Sequence, residues 1–302
     1  MSAVLVAAAL DGTLREPPAR AHPVVAMGSY LRLAARLVPA APPGRALVAG
    51  GLAWVAGALA AAAAGVVVEA AAERLPRPAR PLLRGAALWP LLSARMLLEE
   101  VRAVENALAV GLPAGRVAVS RIVSRDTADL DEAAVRASAL ESLAENLSDS
   151  VVAPLLAYAA GGLPAAAAYR FLNTADASWG YLTPRWRYAG RVAARADDLV
   201  NLVPARVTAA LLLLGAPPAA WRRTIAEAPR TPSPNAGWPM AALAALLNLR
   251  LAKPGVYVLN DGGAAPEPAD TTAALRLARR TVLLAVLLTA VADAHRRSPC
   301  PR

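Results

Sequence analysis

Ala46-Leu-Val-Ala-Gly50-Gly-Leu-Ala-Trp54-Val-Ala-Gly57-Ala-Leu-Ala-Ala-Ala-Ala-Ala-Gly65-Val-Val-Val68 runs for 23 residues without a charged side chain. About 20 apolar residues carry a helix across the hydrocarbon core of a bilayer, so this stretch predicts a membrane-spanning helix. The rest of the chain shares its character. Of 302 residues, 57% are hydrophobic and only 4% aromatic, and the mean hydropathy is +0.40; soluble domains are roughly 45–50% apolar. The excess lies in Ala, Leu and Val. Such a mixture suits long packed helices and suits a sheet poorly.

Working outward, residues 82–98 are apolar but hold Arg84 and Arg95, which leaves open a second pass, an interfacial helix or a buried helix. Residues 151–168 are uncharged. Pro154, Gly161, Gly162 and Pro164 within them predict a kinked span, or two helices meeting at the glycine pair. Further apolar runs cover 207–221, 238–249 and 281–292, the last entered through Arg279 and Arg280. The expected fold is all-α: a polytopic integral membrane protein, one domain over 1–302, with about four or five membrane-embedded helices. Residues 1–10 are too short to span. They lack a positive leading region, and Asp11 stands where a cleavage signal would, so no signal peptide is expected.

The formal net charge is +10 and the pI about 10.8, which first suggests nucleic acid. The positive charge is almost all Arg, however, with Lys253 the single lysine. It sits in clusters beside apolar runs: Arg74, Arg77, Arg80 and Arg84, then Arg185, Arg187, Arg191 and Arg195. Cytoplasmic loops of membrane proteins look like this. The partner implied is a lipid bilayer, not nucleic acid. Cys300 is the only cysteine, so no internal disulfide forms; with only His22 and His295 beside it, a Cys/His zinc site is not expected.

Three polar clusters border the apolar segments. The first is Glu141-Ser-Leu-Ala-Glu145-Asn146-Leu-Ser-Asp149, on a helix whose N-cap reads as Asp129 with Glu132 three residues on. At 100° per residue, Ala137, Leu140, Ala144, Leu147 and Val151 share one face. Ser138, Glu141, Ser142, Glu145, Asn146 and Asp149 share the other, with carboxylates stacked at i, i+4 and i+8. Like charges at that spacing repel mildly, so a cation or an arginine is expected over them. The second cluster is Asn173-Thr-Ala-Asp176. The third is Arg195-Ala-Asp197-Asp198-Leu-Val-Asn201, followed by Pro204 and Arg206. Carboxylates joined by asparagine suit Mg²⁺ with a phosphate ligand. Ser233-Pro-Asn235-Ala-Gly237-Trp238-Pro239 reads as a tight turn. No phosphate-binding glycine–lysine loop and no dinucleotide fingerprint is present.

With Ser120-Arg-Ile-Val-Ser-Arg125-Asp126-Thr127, Ala153-Pro154 and Tyr169-Arg170-Phe-Leu-Asn173, these blocks resemble, in order, the CobD/CbiB family of cobalamin biosynthesis proteins. Glu16-Pro17, His22-Pro23 and Gly28 look like the family's opening. Three positions depart from the pattern: Arg15 and Ser124, each where the family usually has Gly, and the segment Tyr257-Val-Leu-Asn-Asp261-Gly-Gly263. The resemblance implies an amide ligase embedded in the cell membrane, its active site facing the cytoplasm. The enzyme would use ATP and Mg²⁺ to join adenosylcobyric acid to (R)-1-aminopropan-2-yl phosphate or a related amino alcohol, beside other membrane enzymes of late cobalamin synthesis. It implies catalytic roles for Glu141, Glu145, Asp149 and His22. Substrate and phosphate contacts fall to Arg125, Asp126, Arg170, Asn173, Arg195, Arg206, Asn235 and Trp238, and Mg²⁺ to Asp176, Asp197, Asp198 and Asn201. Rival readings are a non-enzymatic membrane sensor like the AmpE proteins, an intramembrane Mg-diphosphate transferase, and a transporter.

Overall fold

A computed structural model describes residues 2–14 and 16–297; Arg15 and Cys300 lie outside them. Thirteen helices are described: α1 (Ala3–Thr13), α2 (Pro23–Leu37), α3 (Pro43–Glu73), α4 (Arg80–Leu88), α5 (Ala94–Val110), α6 (Leu112–Val119), α7 (Glu132–Leu147), α8 (Ala153–Trp179), α9 (Arg191–Val200), α10 (Leu202–Leu212), α11 (Pro218–Glu227), α12 (Gly237–Leu247) and α13 (Pro268–Arg297). A small antiparallel hairpin, β1 (Leu251–Lys253) with β2 (Tyr257–Leu259), pairs Leu251 with Leu259. Gly255, at φ +72°, turns it. The all-α expectation therefore holds except for this hairpin.

Two helical stretches are long and apolar enough to cross a membrane, Pro43–Glu73 and Glu132–Trp179. The expected four or five are not reached by that measure: the other apolar runs form shorter helices, except 281–292, which lies in the 30-residue α13 behind a charged first half. Residues 82–98 are cut between α4 and α5 by a 3₁₀ turn, Trp89–Leu91, that contains Pro90. Residues 207–221 break at Gly215 (φ +79°), and 238–249 end at Asn248 in the left-handed conformation.

The chain packs as two compact units, each discontinuous in sequence: Met1–Ser93, Ala153–Asn201 and Val286–Arg302 in the first, Ala94–Val152 and Leu202–Ala285 in the second. In the first, α3 lies along α8 with small residues at the contact. A side chain at Gly65 would come within 2.5 Å of the Pro164 backbone, and one at Gly57 would overlap the Phe171 ring. Near this contact α8 is two helical limbs meeting at Gly161 and Gly162, as the glycine pair suggested; Gly162, at φ +69°, is in a conformation open to glycine. Tyr158, Phe171 and Trp179 fill this unit's core. In contrast, only 17% of the apolar window of α3 is buried, and Leu52, Leu59 and Val67 are 65%, 65% and 67% exposed.

In the second unit α7 packs on α5, α6 and α12. Its cap is Asp131, whose Oδ1 accepts from the Ala134 N–H at 2.7 Å. Asp129 is exposed and two residues upstream, so the expected cap is displaced to the aspartate that adjoins the first helical residue. The carboxylate ladder of α7 also differs from expectation. Ser148–Val152 form a π-turn, whose wider winding carries Asp149 out of the i, i+4, i+8 stack. Glu141 is buried at 2%, Glu145 is exposed and Asp149 is half-buried.

Candidate active site

The first unit holds a chain of polar groups between α8 and the α9–α10 corner. Tyr169 donates its hydroxyl to Asn201 Oδ1 at 2.8 Å. Asn201 donates Nδ2 to Asp197 Oδ2 at 2.9 Å, and Asn173 donates Nδ2 to Asp197 Oδ1 at 3.5 Å. Arg170 reaches Asn173 Oδ1 and Ser93 Oγ, each at 3.4 Å. Asp176 and Asp198 complete the cluster by their charge on Asp197. A close approach sets this geometry: a side chain at Gly190, just before α9, would strike the Trp179 carbonyl at the end of α8. The loop between them is closed by Trp186, which stacks on Trp179 at 5.2 Å.

Burial and then the Asp176 charge push Asp197 up to about 7; Asp198 adds to the rise, while the Asn201 and Asn173 amides oppose it. A half-buried carboxylate facing two others gains from a cation beside it. Arg195 does not supply it, being 74% exposed and 3.6 Å from Asp198 alone. Mg²⁺ suits such a donor set, because it takes one or two protein carboxylates and fills its octahedron with water and phosphate oxygen. Among the described residues no three His, Cys, Asp or Glu groups converge as an all-protein cage.

The second unit carries two arginine sites. Arg125, from the loop before α7, donates to Glu141 Oε2 at 2.6 Å and to Ser138 Oγ at 3.2 Å. Ser142 pins that loop by donating to the Ile122 carbonyl at 2.8 Å. The side chains of Arg125 and Glu141 are 14% and 2% exposed. Tyr257 and Lys253 of the hairpin also bear on Glu141, and burial, then the Glu141 charge, raise the Tyr257 phenol above its ordinary value. At the other site, Arg206 lies over the Trp238 ring at 4.7 Å and reaches Asn235 Oδ1 at 3.4 Å. Ser233 Oγ accepts from the N–H groups of Asn235 and Ala236, forming the expected turn.

The structure thus brings Asn173, Asp176, Asp197, Asp198 and Asn201 together, and likewise Arg206, Asn235 and Trp238. Asp126 stands apart, exposed, its Oδ1 accepting from the Ala128 N–H. His22 lies at the start of α2. Its Nδ1 accepts from the Val24 N–H while Nε2 meets Glu16 at 2.7 Å, so the ring caps the helix and both of its nitrogens are engaged. Tyr169 and Tyr257 stand in the quoted blocks but were given no site role by sequence. Tyr169 had a signal, since it precedes Asn173 and Asp176 at helical spacing, i, i+4 and i+7. Tyr257 had none, because the hairpin alone carries it to Glu141.

Residues 4–289 match the family model described as CobD/Cbib protein. A probable cobalamin biosynthesis protein CobD of Methanothermobacter thermautotrophicus is 36% identical over 299 residues, covering 96% of this chain and 97% of the relative. A cobalamin biosynthesis protein CobD of Geobacter metallireducens is 39% identical over 316 residues, covering 95% of each. One from Rhodobacter capsulatus is 43% identical over 214 residues, covering 67% of this chain and 68% of the relative. No solved structure matches. The order of the polar blocks along the chain and these full-length similarities agree: the chain belongs to the CobD/CbiB family of cobalamin biosynthesis proteins.

Proposed function

We propose that this protein is a membrane-embedded amide ligase that joins a propionate carboxylate of adenosylcobyric acid to the amine of (R)-1-aminopropan-2-yl phosphate or a related amino alcohol. The product is adenosylcobinamide phosphate, and ATP drives the step. The observation that carries the reading is the half-buried carboxylate cluster of Asp176, Asp197 and Asp198, in which the Asn173 and Asn201 amides hold Asp197 and the charges of the other two bear on it.

A carboxylate is a poor electrophile at neutral pH. Transfer of the ATP γ-phosphoryl group to the propionate oxygen makes an acyl phosphate and releases ADP. The amine nitrogen then attacks the carbonyl carbon, the C–O bond to phosphate breaks, and the amine proton leaves to solvent or a base. Asp197 with Asp176 or Asp198 would hold Mg²⁺, which neutralises phosphate charge. Asn173 and Asn201 keep the carboxylates oriented. Arg125 and Arg206, each fixed by a neighbour, offer planar donors suited to phosphate oxygens. Membrane residence rests on α3, whose exposed leucines and valines are left uncovered by the described residues.

The test is reconstitution. Purified protein receives adenosylcobyric acid, amino alcohol phosphate, ATP and Mg²⁺, and the corrinoid mass is read. The expected mass gain is that of the amino alcohol phosphate less water, dependent on ATP. A protein that binds the corrinoid but leaves its mass unchanged under every amine tried would sink the ligase reading and favour a sensor.

A further inference from the structure

The second unit contains a cavity of about 280 Å³ whose lining includes Arg102 and Asn106 of α5 and Thr272, Arg276 and Arg279 of α13. None of these residues belongs to the polar clusters described above. Thr272, Arg276 and Arg279 stand at i, i+4 and i+7 on one helical face, as Arg102 and Asn106 do at i and i+4. Glu105 is the only carboxylate in the lining, and its charge is already taken: Arg136 lies 3.0 Å from it, and Thr271 donates to it at 2.7 Å. Among the described residues no ion-pair or hydrogen-bond partner is found for Arg102, Arg276 or Arg279. Three unmatched guanidinium groups around one concavity, with an amide and a hydroxyl beside them, form a donor set for a phosphate group.

Position along α13 narrows the source of that phosphate. Arg279 and Arg280 are followed directly by the uncharged residues 281–292. Leu283 is 57% exposed there, and Leu287, Leu288 and Val291 further along the helix are 49%, 50% and 58% exposed. Arg276 to Leu283 is two turns, or about 10 Å. A basic cavity that close to an exposed apolar helix face has the layout of a lipid headgroup site at the membrane surface.

We propose that this cavity binds the headgroup phosphate of an anionic phospholipid. The inference rests on the membrane reading and is independent of the ligation chemistry. The full chain, purified in mild detergent, is offered phosphatidylglycerol or phosphatidylcholine, and the retained lipid is counted by native mass spectrometry. The wild type is expected to keep one phosphatidylglycerol in preference to phosphatidylcholine. Arg276→Gln/Arg279→Gln should retain about thirtyfold less, while Arg222→Gln, an exposed arginine elsewhere, should retain as much as the wild type. Because neither arginine of the pair has a partner among the described residues, the lipid-free melting temperature should not move, which separates loss of a site from loss of fold. Equal retention by the wild type and the double variant would overturn the site. Displacement of the lipid by excess inorganic phosphate, or binding of inorganic phosphate with no lipid retained, would overturn the lipid assignment in favour of a soluble phosphate. A chain that stays in washed membranes yet shows no headgroup preference would defeat this inference alone.

Discussion

Arg125 and Glu141 are 16 residues apart and form a buried ion pair at 2.6 Å, with Ser138 holding the other arm of the guanidinium at 3.2 Å. The pair makes Glu141 the counter-charge of an arginine and sets it apart from Glu145, which is exposed. Breaking a buried pair from one side costs about 3–5 kcal/mol, because the remaining charge is left without a partner. Glu141→Gln should therefore lower yield and melting temperature, and Arg125→Gln should do the same. The double variant should recover much of the stability while staying inactive. A Glu141→Gln protein that melts like the wild type and has lost only turnover would instead place Glu141 in the chemistry.

Asp197 gives the opposite pattern. Its carboxyl is raised by burial and by Asp176, so its ionised form costs stability in the protein without metal. Asp197→Asn should melt no lower than the wild type when Mg²⁺ is absent. It should also lose the rise in melting temperature that Mg²⁺ with ATP gives the wild type, and turn over on the order of 10²–10³ times more slowly. If the Mg²⁺-dependent rise persists in Asp197→Asn, the metal sits elsewhere.

The guanidinium of Arg206 is oriented by the Trp238 ring beneath it and by Asn235. Trp238→Leu removes a cation–π contact worth about 0.5–2 kcal/mol. The expectation is a rise in KM for the phosphorylated amine of about threefold to thirtyfold, with kcat changed less. Trp238→Phe should fall between the two. An unchanged KM in Trp238→Leu would take Arg206 out of substrate binding.

What the sequence revealed follows from which interactions are local. The clusters around Asn173 and Asp197 were legible because each lies on one helix at helical spacing, and the glycine pair at 161–162 announced its kink. Three features were not. The π-turn at Ser148–Val152 contains no proline or glycine to mark it, so the expected carboxylate stack ran straight through it. The choice of Asp131 over Asp129 as cap depends on where the loop before α7 is pinned by Ser142. The pairing of Asp197 with Asn173 across 24 residues needs the Gly190–Trp179 approach, which periodicity does not encode.

That kind of approach can be tested on α3. A Cβ at Gly65 would stand 2.5 Å from the Pro164 nitrogen, and the backbone there has no flexible end to move. Gly65→Ala should separate α3 from α8 and destabilise the fold, by an amount in the 1–3 kcal/mol range of an overpacked core or more. Gly44, at the start of the same helix, has nothing within 4 Å of its position, so Gly44→Ala should be neutral or slightly stabilising. Equal melting temperatures for the two variants in one detergent would show that α3 and α8 are not packed as described.

The outward side of α3 sets the last expectation. Val48, Leu52, Leu59, Val66 and Val67 are each more than half exposed, along a helix of 31 residues. In water such a surface would be an aggregation site; against lipid it is ordinary. The wild type should stay with the membrane fraction through high salt and alkaline washing, because no ionic contact holds it there. Leu59 lies near the middle of the apolar run, so Leu59→Arg places a charge near the bilayer centre at a cost of about 2.5–3.5 kcal/mol. The membrane-inserted fraction should drop severalfold, with the lost protein degraded or aggregated. Arg45→Gln, at the helix entrance, should leave insertion unchanged apart from a small effect on orientation. Release of the wild type by salt alone, together with normal yield of soluble Leu59→Arg, would show that the apolar face of α3 is covered by protein, and the membrane reading would fall.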